Sequence, residues 1–249
     1  MIVTILGSVS PYTTLNRNCP GILISHAGEN IMLDCGSGST RRLNFPEDLK
    51  NFHVFISHFH RDHYNDIYNL QYASYVFNKQ NLLDRPIEIY LPSRPSIYFD
   101  DVVNEKIAHA RYHKLTDNPL GVQLINFKVT YCLTGHEVES YAFKVQSANK
   151  TVVYTSDITF DSSDTIIKFA NNADLLICES SFLEKHNYSK SGPHITAKQA
   201  GIIAKKANVK KLILTHFWPD ENPLDYVEEA RAIFKNVSQA EEGQAIFLF

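Results

Sequence analysis

Residues 58–63 read His58-Phe59-His60-Arg61-Asp62-His63, so four side chains able to bind a metal fall within six positions. Imidazole nitrogen and carboxylate oxygen together suit zinc, manganese or iron better than calcium or magnesium. His58 and His60 lie two apart and face the same way if the backbone is still extended there. The apolar run 54–57 before them reads as a short buried strand, and helix-favouring residues follow from Tyr64. Asp62 and His63 then fall in the turn that opens the helix. The bland alternative is a histidine-rich surface loop that binds nothing. Donors elsewhere in the chain argue against it.

Those donors sit at strand ends. His136 follows the strand-like run that ends near residue 131, Asp157 follows 152–156, and His216 follows 212–215. Glu179 closes the apolar run 175–178. A polar residue at the end of an apolar strand is how a rigid scaffold presents chemistry at a rim. Singly, each has a plainer reading: a histidine after a strand is commonly a loop residue, and Asp157 reads as a helix cap. Together with the first cluster they give five histidines and two aspartates, enough donors for two adjacent ions.

The elements that must position them are legible as runs of two periods. Strand-like segments fall at 2–6, 21–25, 31–34, 54–57, 87–91, 123–131, 141–145, 151–155, 175–179, 211–215 and 245–249. Within 123–131 the apolar residues alternate from Ile125, as on a half-exposed strand. Helical patterns cover 64–78, 163–170, 196–207 and 224–235, and Thr196-Ala197-Lys198-Gln199 carries a capping-box signature. Many neighbouring strands read as hairpins or meanders. This predicts two mixed sheets with helices outside them, a layered α/β arrangement, and not one doubly wound sheet. With 249 residues, 44% of them hydrophobic, and no linker or low-complexity tract, one domain over 1–249 is expected. The segment 92–119 fits either an insertion over the site or an irregular surface stretch.

A net charge of −3 gives no reason to expect bulk nucleic-acid binding. Cys19, Cys35, Cys132 and Cys178 form no CxxC pair, which reads as reduced thiols in a cytoplasmic protein. The apolar start lacks a preceding Lys or Arg, and no run of 18 apolar residues exists, so neither a leader nor a membrane span is expected.

The HxHxDH motif at His58, His60, Asp62 and His63, followed by His136, Asp157 and His216, resembles the metallo-β-lactamase superfamily across nearly the whole chain. The resemblance implies an αββα sandwich with the site at one edge of the two sheets. It implies that His58, His60 and His136 hold one metal, that Asp62, His63 and His216 hold the other, and that Asp157 bridges them. The start of the chain with Asp34-Cys35-Gly36-Ser37-Gly38 looks like the ribonuclease Z-like branch. Ile177-Cys178-Glu179-Ser180-Ser181 resembles that branch's HEAT motif, with Cys178 in the histidine position, and His194-Ile195-Thr196-Ala197 resembles its helix entry. Leu214-Thr215-His216-Phe217-Trp218-Pro219 is similar to the last ligand segment of its small phosphodiesterases. Ile158 stands where many relatives carry Thr. Long ribonuclease Z inserts a tRNA-gripping arm between the ligands matching His136 and Asp157. Here twenty residues separate them, room for two strands and a turn. The resemblance therefore points to the small cyclic-nucleotide or cyclic-phosphate diesterases of the branch.

Two divalent ions about 3.5–4 Å apart can share a hydroxide and clamp both oxygens of an in-line displacement. Two such ions, two carboxylates and the hydroxide leave one positive charge, which a monoanionic diester neutralises. His194 precedes the capped helix by two residues, and a helix N-terminus favours an anion. An imidazole there can protonate a departing alkoxide, with Glu179 holding it protonated. Asp62, His194 and Glu179 are thus the candidate catalytic residues. Lys198, Lys205, Lys206, Lys210 and Lys211 read as a solvated helix face, with weak attraction for RNA as the sharper alternative.

The expected activity is a dinuclear metal-dependent phosphodiesterase acting on a cyclic phosphate, a cyclic nucleotide or an RNA-derived diester. Its expected cofactors are two transition-metal ions, zinc first, with manganese or iron as alternatives. The expected partner is a small phosphodiester or nucleotide; RNA and a homodimer stay open, and no membrane is involved. The competing readings are tRNA 3′ processing, a lactone, thioester or β-lactam hydrolase on the same fold, and a binding module with a decayed site.

Overall fold

The computed structural model describes residues 1–104, 109–187 and 192–249. Among them, fourteen strands form two seven-stranded sheets. The first sheet holds β1 (Ile2–Gly7), β2 (Gly21–His26), β3 (Glu29–Cys35), β4 (Phe52–Phe55), β5 (Ile87–Leu91) and β6 (Ala110–Lys114). The second holds β7 (Val122–Gln123), β8 (Lys128–Leu133), β9 (Tyr141–Ser147), β10 (Lys150–Tyr154), β11 (Leu175–Glu179), β12 (Leu212–Thr215) and β13 (Val237–Gln239). β14 (Ala245–Phe247) returns to the first sheet and pairs with β1. Both sheets follow one scheme: four strands joined antiparallel, then three added in parallel. The two-mixed-sheet, helix-flanked fold expected from the sequence is the fold of this chain.

Strand alternation explains the layering. On β2 and β3, Ile22, Ile24, Ile31 and Leu33 join the core shared with the second sheet, while Leu23 and Met32 turn to the other face. That other face is covered by helices α2 (Ile67–Lys79) and α3 (Ser96–Val103) through Ile67, Leu70 and Val102. The second sheet is covered by α4 (Ser163–Phe169), α5 (Ala197–Lys206) and α6 (Pro223–Arg231) through Ile166, Ile203 and Val227. A sheet buried on both faces needs near-continuous apolar strands, as β4, β11 and β12 have. No described helix is long and apolar enough to cross a membrane. All four cysteines are unpaired, three of them buried and Cys132 half-buried.

Three expectations need correction. Residues 123–131 are not one strand. Leu124 N–H bonds Phe127 C=O at 2.8 Å and closes a hairpin between β7 and β8. The buried Glu29 carboxylate accepts the turn N–H groups of Ile125 and Asn126 at 3.3 and 2.6 Å, and alternation alone cannot reveal such a tie. The segment 92–119 is neither irregular nor a bare insertion: it supplies α3 and the edge strand β6, with residues 105–108 outside the described set. The helix expected from Tyr64 is two pieces, the single turn α1 (Arg61–Tyr64) and α2, because Asp66 is bound elsewhere. Its side chain accepts from Thr40 N–H and hydroxyl at 3.1 and 2.8 Å. The capping box on α5 is present, with Thr196 and Gln199 exchanging bonds of 3.2 and 2.8 Å.

Candidate metal centre

The strand ends converge on one cluster at the edge between the sheets. The segment after β4 delivers His58 and His60, and α1 delivers Asp62 and His63. From the second sheet, His136 arrives after β8, Asp157 after β10, and His216 after β12. Ligand-type atoms of His58, His60, His136 and Asp157 lie within 4.8 Å of one another. Those of Asp62, His63 and His216 form a second such group. Asp157 stands between them: its Oδ2 is 3.5 Å from His58 Nε2 and 3.8 Å from His136 Nε2, and its Oδ1 is 3.3 Å from His63 Nε2 and 3.1 Å from His216 Nε2. Asp62 Oδ2 lies 3.6 and 3.7 Å from the same two nitrogens of His63 and His216. All seven residues read from the sequence stand in this one cluster.

The outer nitrogens are tied down, which fixes the inner ones. Four of the five histidines engage Nδ1 outward: His58 with the Ser57 hydroxyl at 2.9 Å, His63 with Asp34 at 2.7 Å, His136 with Pro193 C=O at 2.9 Å, and His216 with the Ser181 hydroxyl at 2.8 Å. Because Ser57 donates to Asp34 and Ser181 donates to Glu179, each hydroxyl accepts the histidine proton. The Nε2 lone pairs of His58 and His216 then face inward. His60 is reversed: Nδ1 lies 3.4 Å from His136 Nε2, and Nε2 lies 3.8 Å from Glu137. Buried imidazoles with an oriented outer nitrogen and a bare inner one are the pattern of metal ligation. Two atoms carry the fit further. His58 Nε2 and Asp157 Oδ1 are buried with no hydrogen-bond partner, a costly condition that a cation relieves.

Three residues of the cluster and its surroundings have left-handed backbone. Asp34, Ser156 and His216 adopt φ of 57°, 52° and 63°, the left-handed region uncommon for residues with a Cβ. Electrostatics are similarly uneven. Burial and the neighbouring His63 hold the His58 imidazole well below its ordinary value. Burial opposes the charge on His63 too, but Asp157, Asp62 and Asp34 outweigh it and push that imidazole up. Against the burial penalty, His63 and His216 hold the Asp62 carboxyl below its usual range.

His194 enters beside the cluster. Its Nδ1 is 3.2 Å from Glu179 Oε2 and 3.8 Å from Asp157 Oδ2, and its side chain is 22% exposed. Burial works against its charge, but Glu179 overrides this and pushes the imidazole up to about 9. Glu179 is wholly buried and also accepts Ile158 N–H at 2.6 Å and the Ser181 hydroxyl at 2.8 Å. Through Ser181 it therefore joins His194 to His216.

Sequence reasoning missed the residues under the cluster. Asp34 Oδ2 accepts from His63, from the Ser57 hydroxyl at 2.9 Å and from the Tyr154 hydroxyl at 2.8 Å, while Oδ1 accepts Ser57 N–H at 2.7 Å. Ser10 donates to Asp62 Oδ2 at 2.6 Å. The one available signal was a carboxylate, Asp34, closing an apolar strand. Between His136 and Asp157 the chain makes only the hairpin β9–β10, with Ser147 paired to Lys150 across a two-residue turn.

A family model described as "Beta-lactamase superfamily domain" matches residues 29–217. The probable metallo-hydrolase YhfI of Bacillus subtilis is 30% identical over 98% of both chains. Its crystal structure superposes with a TM-score of 0.89, at 29% identity over 98% of each chain. Ribonuclease Z of Chlamydia trachomatis serovar L2 is 29% identical, covering 96% of this chain and 95% of its own. That alignment runs over 295 positions against the 249 residues here, so the relative carries insertions, whereas the alignment with YhfI needs only 250. A diphosphatase of the PhnP family shares the fold, with a TM-score of 0.77 at 18% identity over 100% of this chain and 98% of its own.

Proposed function

The chain belongs to the beta-lactamase superfamily, and from that footing we propose that it is a dinuclear metal-dependent phosphodiesterase acting on a small diester or nucleotide. In this reading His58, His60 and His136 hold one ion, Asp62, His63 and His216 hold the second, and Asp157 lies between them. Zinc is the first choice, with manganese or iron suited to the same donors. Bound there, the ions would supply Lewis-acid stabilisation of charge on the phosphoryl oxygens and lower the pKa of water.

The remaining work falls to the chain. Hydrolysis joins a water oxygen to phosphorus and breaks one P–O ester bond, releasing an alcohol and a phosphomonoester. The leaving alkoxide needs a proton, and His194 is the donor proposed, held protonated by Glu179 at 3.2 Å. Ser57, Asp34 and Ser181 keep the imidazoles in the tautomer that turns a lone pair inward. The observation that carries the reading is this pairing of two donor groups around Asp157, with the His194 imidazole beside them 3.2 Å from the buried Glu179 carboxylate. An alkoxide leaves poorly without a proton whereas a thiolate departs readily without one, which favours a diester over a thioester.

The second reading is tRNA 3′ processing, favoured by the likeness to ribonuclease Z. The two-residue turn between β9 and β10 speaks against it, since it leaves no room there for an arm that grips tRNA.

The test compares leaving groups on metal-loaded protein. His194→Ala should lose about 10²–10⁴-fold in kcat on a diester with an alkoxide leaving group. The loss on bis(p-nitrophenyl) phosphate should be far smaller, because nitrophenolate departs without a proton. Turnover of a lactone or β-lactam with none of any diester would overturn the reading.

A further inference from the structure

Four of the five clustered imidazoles have an outer nitrogen held at 2.9 Å or less, by the Ser57 hydroxyl, the Asp34 carboxylate, the Pro193 carbonyl and the Ser181 hydroxyl. His60 is the exception. It turns Nδ1 inward, 3.4 Å from His136 Nε2, and Nε2 outward. Among the described residues no hydrogen bond reaches that outer nitrogen, and Glu137 Oε1 faces it at 3.8 Å. The same imidazole is the open one. Its side chain is 35% exposed, against 10% or less for the other six proposed ligands. Glu137 follows His136 directly, so the strand end that delivers one ligand of the first group also carries the carboxylate that faces another.

The loop bearing Glu137 is fixed while its side chain is not. Thr134 N–H bonds Ser140 C=O at 3.1 Å, and the Glu139 carboxylate accepts Ser93 N–H at 3.0 Å and the Tyr141 hydroxyl at 2.9 Å. Glu137 is 65% exposed and, among the described residues, has no partner besides His60. A swing of about 1 Å closes the gap to a charge-assisted hydrogen bond, for which N···O is about 2.7–2.9 Å. A neutral imidazole with its Nδ1 lone pair inward carries its proton on Nε2, and a carboxylate accepting that proton fixes the tautomer and strengthens the inner donor. Resting on the dinuclear reading, we infer that Glu137 is a positioning residue for His60. It takes the Nε2 proton, keeps Nδ1 turned toward the first ion, and so sets how tightly and how long that ion is held.

The experiment compares wild type, Glu137→Gln and Glu137→Ala. Gln keeps an acceptor of the same reach without the charge, and Ala removes both. Chelator competition with zinc gives two stepwise affinities. Glu137→Ala should weaken one step about tenfold and speed release of that ion into excess chelator by a similar factor. The other step and the metal-free Tm should not move, because Glu137 is exposed. Glu137→Gln should stay within about threefold of wild type. In ¹⁵N NMR spectra of the metal-free protein, His60 should carry its proton on Nε2 in wild type and Gln, and lose that preference in Ala. Equal losses in Gln and Ala make Glu137 a distant charge; losses on both steps, or a lower metal-free Tm, make it a structural residue. Either result overturns the proposal, as does an Ala variant that matches wild type in affinity and tautomer. A wild type that takes up no ion counts against the dinuclear reading alone, and the His60 tautomer then decides the part of Glu137.

Discussion

Asp34→Asn is the sharpest probe of how the cluster is held. Four donors reach this carboxylate: Ser57 N–H on one oxygen, and the Ser57 hydroxyl, the Tyr154 hydroxyl and His63 Nδ1 on the other. Asparagine keeps one oxygen and sets an NH₂ in place of the second. Whichever way the amide turns, at least one buried donor faces another donor, at a cost of about 1–3 kcal/mol. The surviving bonds lose the help of a full charge, roughly 1 kcal/mol more. Backbone strain adds nothing, since asparagine tolerates the φ of 57° found here. The metal-free protein should lose about 2–4 kcal/mol, read as a fall in Tm of roughly 4–16 °C for a chain of this size. His63 also loses the acceptor that aims it, so the ion on its side should bind about 10–100-fold more weakly in competition with a chelator. A metal-free Tm within about 1 °C of wild type, with unchanged chelator competition, would refute the role given to Asp34.

Asp157→Ala should bind at most one equivalent of zinc or manganese by elemental analysis, against two for wild type. Chelation of wild type should lower Tm and re-addition of either ion restore it, by about 2.7 kcal/mol when free metal stands at a hundred times Kd. For an alkoxide leaving group, the pH–rate profile should carry an alkaline limb along which kcat falls as His194 loses its proton, a loss that Glu179 delays against burial. In Glu179→Gln burial acts with less opposition, so a pH–rate profile should show that limb moved down toward the ordinary imidazole range. Gly36→Ala should destabilise by more than about 2 kcal/mol and weaken metal uptake, because a Cβ there would meet Asp62 C=O at 1.9 Å.

The grouping of the seven proposed donors was legible because few residue types suit such metals and the segments that carry them follow apolar strands. The layered fold was legible because apolar periodicity reports a buried sheet face. Asp34, Ser57, Ser181 and Ser10 were not legible. The serines are ordinary loop residues in one dimension, Asp34 is one carboxylate among many at the end of a strand, and only the folded sheets bring Asp34 on β3 to Tyr154 on β10. The hairpin inside 123–131 was hidden because apolar alternation continues across the turn, while the group that closes it, Glu29, lies nearly a hundred residues earlier. Strand β6 was hidden because it is an edge strand, Ala110–Lys114, with polar and charged residues on both faces.

The shared scheme of the two sheets has a consequence for how the molecule assembles. Four of the seven proposed donors sit within residues 58–63 on the first sheet, whereas His136, Asp157 and His216 arrive with the second. An ion meeting the first sheet alone finds neighbours in sequence and closes almost no loop. Engaging His216 ties together positions about 150 residues apart, and in an unformed chain that closure opposes binding. On the proposed ligand set, tight uptake would wait until the sheets have docked, and bound ions would then act as a clasp across the seam. Metal release in refolding or forced-opening experiments should then report separation of the layers, ahead of any loss of strands within either one.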